Sequence, residues 1–147
     1  MVSKVFDTTI HIVPVGLNER ASDSFLYSEF DCPDPDSKYT LVSGNLILSL
    51  QDLRDYFGWP LIITSGYRTL VHNKKVGGVD GSFHTLGMAA DIMCPHYSWD
   101  ESAQIIDNFI AINNHMYFGG LGYYPNRKFF HLDVRRTPKL VTWTDEK

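Results

Sequence analysis

The chain has 147 residues, of which 44% are hydrophobic, 14% aromatic and 20% charged, and its 13 Lys and Arg against 17 Asp and Glu leave a net charge of −4. That length suits one domain, the apolar content excludes a largely disordered chain, and the acidic balance excludes a protein whose main work is gripping nucleic-acid phosphates, which takes a surplus of cations. No apolar run approaches the roughly 20 residues of a membrane span, and Met1 to Val5 lack the features of a secretory signal, so the expectation is a soluble protein made in a cytoplasm.

In chain order, Phe6 to Val15 is rich in β-branched residues (Thr8, Thr9, Ile10, Ile12, Val13) and is broken by Pro14 and Gly16, which predicts an edge strand or a strapped arm. Ser22 to Cys32 is a mixed stretch closed by the turn cluster Pro33-Asp34-Pro35-Asp36. Leu41 to Phe57 places Leu46, Leu50, Leu53 and Phe57 on one helical face, with Gly58 and Pro60 as stop signals. Leu61 to Thr64 reads as a short buried strand, and Trp99 to Ile112 as a second helix with Ile105, Ile106, Phe109 and Ile112 inward. Met88 to Cys94, Gly119 to Tyr124 and Lys128 to Arg135 read as three further strands. The pattern predicts an α+β domain with helices packed on one face of a mostly antiparallel sheet. Cys32 and Cys94, 62 positions apart, read as reduced, buried thiols.

Alternation along Phe129 to Arg135 puts Phe130, Leu132 and Val134 on one face and His131, Asp133 and Arg135 on the other. Such a polar row either lines a cleft or is a solvated face with a local ion pair. His84 and Asp91, seven apart, suit a ligand on a loop followed by a ligand on the next strand, and a distant third His would complete the three-ligand set of a catalytic zinc. By itself that spacing is a weak pattern.

The ordered run Ser65-Gly66-Tyr67-Arg68, Asn73, Val76-Gly77-Gly78, Ser82, His84, Gly87, Ala89-Ala90-Asp91-Ile92, Gly119-Gly120-Leu121-Gly122, Tyr124-Pro125 and Phe130-His131-Leu132-Asp133-Val134-Arg135 resembles the zinc D-Ala-D-Ala carboxypeptidase family, which is related to the zinc-binding amino-terminal domain of hedgehog proteins. The likeness spans residues 22–136. It implies a hedgehog-like α+β fold with a zinc cleft and a peptidase acting on bacterial peptidoglycan stem peptides. Residues 22–147 are then the zinc peptidase domain, and residues 1–21 an N-terminal arm or extra strand. The resemblance makes His84, Asp91 and His131 the Zn²⁺ ligands, with Arg68 holding a substrate carboxylate or carbonyl and Tyr67 and Ser82 beside it. It also makes a phage lysin or virion-associated role, with a tail or assembly partner, the expected origin of a wall-directed enzyme without a signal peptide.

One position departs from the family. Its better-known members carry an acidic general base three residues before the last His, where this chain has Lys128. Asp133 then stands as the base, as the group that orients His131, or as the partner of Arg135. The competing reading is a non-catalytic zinc-binding structural or wall-binding module on the same fold. His72 reads as a surface residue in a helical turn, and His11, His96 and His115 as structural or exposed. Tyr123, Tyr124 and Trp143 read as packing. The glycines at 119–122 follow a helix and enter a strand, the reverse of a phosphate-binding loop.

Overall fold

A computed structural model describes residues 6–114 and 116–147. The readings made for Met1 to Val5 and for His115 lie outside them.

The N-terminal segment forms β1 (Ile10–Pro14), which pairs antiparallel with β2 (Tyr39–Ser43) as a separate two-stranded sheet. Pro14 ends the strand, where a missing N–H costs least. Helix α1 (Gly44–Phe57) begins three residues later than the apolar spacing suggests, because Thr40 and Val42 alternate inward as part of β2. Ser43 then caps the helix, its hydroxyl accepting from the Leu46 N–H at 3.4 Å, and Gly58 closes it in the left-handed region at φ 73°.

Strand β3 (Ile62–Ser65) follows. It is not the buried strand expected over 61–64: only Leu61 is buried, while Ile62 faces solvent at the edge of the main sheet. The short helix α2 (Leu70–Lys75), capped by Thr69, leads to β4 (Ala89–Met93). Helix α3 (Trp99–Ile112) has the expected bounds and opens on a Ser98–Glu101 capping box. Its inner face is Ile106, Phe109 and Ile110, whereas Ile112 is exposed, since the face turns away from the core in the last turn. Strands β5 (Gly120–Tyr124), β6 (Phe129–Asp133) and β7 (Val141–Thr144) complete the domain.

The main sheet runs β3-β4-β6-β5-β7, antiparallel throughout except for the parallel β5–β7 pair. Strand β7 had no sequence expectation. Leu46, Leu50, Leu53 and Phe57 of α1 and Ile106 and Phe109 of α3 form one core with Ala90, Ile92, Leu121, Phe130 and Leu132 of the sheet. Full burial of each large apolar side chain contributes about 1.5–3 kcal/mol, so this layer fixes the sheet's inner face. Cys32 and Cys94 are free and buried.

The register decides what the other face carries. Ser65 lies opposite Asp91, Asp91 opposite His131, His131 opposite Gly122 and Gly122 opposite Trp143. Residues directly opposite share a face. One polar row therefore crosses the whole sheet, and a parallel row holds Ala89, Asp133, Gly120 and Val141.

Candidate metal centre

His84 arrives on a 3₁₀ turn (Phe83–Leu86), where the Ser82 hydroxyl accepts from the His84 backbone N–H at 3.3 Å. Asp91 and His131 come from the facing positions of β4 and β6. Asp91 Oδ1 lies 3.1 Å from His84 Nε2 and 3.2 Å from His131 Nδ1. All three side chains are buried, and their ligand atoms lie within 4.8 Å of one another.

The outer atoms of both imidazoles are fixed. His84 Nδ1 donates to the Gly66 carbonyl at 2.7 Å, and His131 Nε2 donates to Asp133 Oδ2 at 2.7 Å. The inner nitrogens, His84 Nε2 and His131 Nδ1, are left to present lone pairs to a carboxylate that can only accept. Three buried electron-pair donors aimed at one point need cations between them, either protons on the rings or a metal ion. Two donors held at about 2.0–2.1 Å from a tetrahedral zinc are about 3.3 Å apart, close to the two separations seen. The donor set therefore fits zinc.

The electrostatics follow from the same contacts. Burial pushes the Asp91 carboxyl up, but hydrogen bonds from His131 and His84 overcome it and hold the group below the ordinary carboxylate range. Burial pushes His131 down, but its bonds to Asp133 and Asp91 raise it above an ordinary imidazole. Burial likewise opposes ionisation of Asp133, and Arg135 and then His131 bring it down to about 2.

Around the ligands stands a second ring of contacts. Arg135 grips Asp133 through two forks, Nε to Oδ1 at 2.8 Å and Nη2 to Oδ2 at 2.7 Å, and its guanidinium sits 4.5 Å above the Phe83 ring. Arg68 Nη2 donates to Asp91 Oδ2 at 3.2 Å, while its Nε and Nη1 donate to Ser65 and Asn73. Strand β5 makes room for this. A Cβ on Gly120 would stand 2.2 Å from Asp133 Oδ2, and one on Gly122 would stand 2.6 Å from the Trp143 ring, which packs 5.1 Å from His131.

The centre opens into a cleft of about 450 Å³. A larger hollow of about 590 Å³, between Phe6 and Thr137, has no His, Cys, Asp or Glu among the described residues of its lining. Ser82 and Arg68 line the cleft as expected for neighbours of the ligands. Tyr67 does not line it, and burial and then the nearby Cys32 raise the pKa of its phenol. Lys128 is also elsewhere. It takes a left-handed conformation at φ 63° in the β5–β6 turn and lines a small hollow with Cys94 and Trp99. Asp133 touches the centre only through His131, both of its oxygens being taken.

The other described histidines lie outside the cleft. His11 bonds Tyr27 and Asp7, His96 stacks on Trp59, and His72 lies on α2. The residues not expected at the site are Tyr124, Arg127, Trp143 and Asp145, all in the cleft wall. For Trp143 and Asp145 the signal was the alternation Val141, Trp143, Asp145, which a paired β7 turns to the ligand side.

A sequence model of the family described as Peptidase M15 matches residues 23–133. No curated protein matches the chain.

Proposed function

The chain belongs to the Peptidase M15 family, a family of metallopeptidases, and from that membership we propose that it is a zinc enzyme hydrolysing peptide bonds of bacterial peptidoglycan stem peptides or cross-links. The observation that carries the reading is the convergence of His84 Nε2, Asp91 Oδ1 and His131 Nδ1 at the floor of an open cleft. These three residues would hold the ion. When bound there, zinc supplies Lewis acidity that lowers the pKa of water and polarises a peptide carbonyl.

The rest of the work falls to the chain's own groups. Gly66 and Asp133 fix which nitrogen each imidazole presents, so no ring has to turn before it can ligate. Arg68 donates to the second oxygen of Asp91 and so fixes how the carboxylate is turned. Asp133 acts as the group that orients His131 rather than as a base, because its proton-accepting oxygens already serve His131 and Arg135. The apolar sheet face behind the row and Trp143 beside it limit water to the cleft side.

A second reading, a zinc-holding wall-binding module without turnover, is favoured by one observation: neither position 128 nor Asp133 offers a free carboxylate to the cleft. Digestion of purified peptidoglycan with the zinc-loaded wild type and with His84→Ala, read by mass spectrometry, separates the two. Fragments released only by the wild type establish the peptidase, and intact wall with stoichiometric zinc in the protein establishes the module.

A further inference from the structure

Three arginines line the cleft, and their donors are not equally available. Arg68 is 15% exposed and each of its three guanidinium nitrogens already has a partner, in Ser65, Asn73 and Asp91. Arg135 is 23% exposed and forked onto Asp133. Arg127, on the β5–β6 turn, is 55% exposed and among the described residues has one polar partner, Nη2 to Asp145 Oδ2 at 3.5 Å. An exposed pair at that length contributes little and exchanges readily.

Arg127 is nonetheless held in place. Tyr124 and Phe129 stack at 4.2 Å with an interplanar angle of 12°, and the Arg127 guanidinium lies 5.0 Å and 5.3 Å from their ring centres. The shelf is tied to the metal centre, since the Trp143 indole donates to the Tyr124 hydroxyl at 3.0 Å and Trp143 packs on His131. A planar fork on a fixed aromatic shelf, with donors to spare, is built to take a carboxylate.

The geometry points to Arg127, not Arg68, as the residue that selects substrate, by binding a free carboxylate of the peptide in exchange for Asp145. This rests on the peptidase reading of the same cleft. The charges around it balance within the chain: three guanidinium groups stand against the carboxylates of Asp91, Asp133 and Asp145, and the Arg127–Asp145 pair is the longest of the three, so a substrate carboxylate displaces the weakest partner. A stem peptide offers two such groups, its C-terminal carboxylate and the α-carboxylate of its γ-linked glutamate.

The test is fluorescence anisotropy of a labelled stem pentapeptide, L-Ala-γ-D-Glu-L-Lys-D-Ala-D-Ala, against its two mono-amides and its diamide, with zinc-loaded protein. Wild type should bind the free acid more tightly than the diamide. Arg127→Ala should weaken the acid about 10- to 100-fold and leave the diamide unchanged, with zinc content intact. Arg127→Lys should fall between, and Asp145→Asn should tighten the acid several-fold. The mono-amide that loses its dependence on Arg127 identifies the carboxylate bound. Equal binding of acid and diamide by the wild type, or an equal loss of both in Arg127→Ala, overturns the assignment. Hydrolysis is scored separately: Arg127-dependent binding without cleavage ends the peptidase reading and leaves the anchor standing.

Discussion

His131 Nε2 and Asp133 Oδ2 are 2.7 Å apart although the two residues are separated by a single position on one strand, and Arg135, the next residue on that face, clamps the same carboxylate. Alternation alone produces this triad. It gives His131 a fixed orientation and leaves Nδ1 as the atom facing Asp91.

Asp133→Asn therefore acts on the metal before it acts on turnover. Zinc affinity, measured by competition with a chelating dye, should fall about 10- to 100-fold. A base would behave differently: affinity would stay and only the rate would drop.

Gly120→Ala should reproduce that defect without altering any polar group. Its Cβ would stand 2.2 Å from Asp133 Oδ2, inside the sheet, where Asp133 is fully buried. The expected outcome is weaker zinc binding in the same competition assay and a lower melting temperature. Unchanged affinity would mean that Asp133 can move without disturbing His131.

Zinc should stabilise the fold. At a free concentration 100 times the dissociation constant, binding to the native state alone adds about 2.7 kcal/mol, which for a domain of this size raises the melting temperature by roughly 5–11 °C. Differential scanning calorimetry with and without chelator reads the shift. His84→Ala should abolish it.

Asp7 provides a test of acid stability away from the site. Its carboxyl is lowered to about 2, first by the Thr9 hydroxyl and then by His11. Since the folded-state pKa lies below the ordinary value of about 3.9, the stabilisation is complete above that value and is lost as pH falls through about 2. Urea unfolding of wild type and Asp7→Asn should show a stability difference at pH 5 that shrinks between pH 4 and 2.

Much of this was legible in the sequence because it is local. The period of α1 and α3, the stop of α1 at Gly58, and the alternation that sends Phe130 and Leu132 inward and His131 outward all depend on near neighbours. What was not legible depends on pairing between distant segments. Nothing in the residues alone sets Asp91 opposite His131, and β7 is too short and polar to announce itself before β5 offers it a partner. Arg68 looked like a free anchor for the same reason, since Asp91 and Asn73 reach it only in the folded chain. Lys128 looked like a damaging substitution because the left-handed turn that swings it out of the cleft is not written in its neighbours.

The parallel β7 strand and the residue after it lie beyond residues 23–133, the span shared with the family, yet they supply Trp143 and Asp145 to the cleft. One side of the cleft mouth is thus carried by a stretch of chain that holds none of the three ligands, while Tyr124, Arg127 and Phe129 stay within the shared span. Exchanging the residues after Arg136 while keeping Trp143, which packs on His131, would reshape that side of the mouth and leave the ligand row in place.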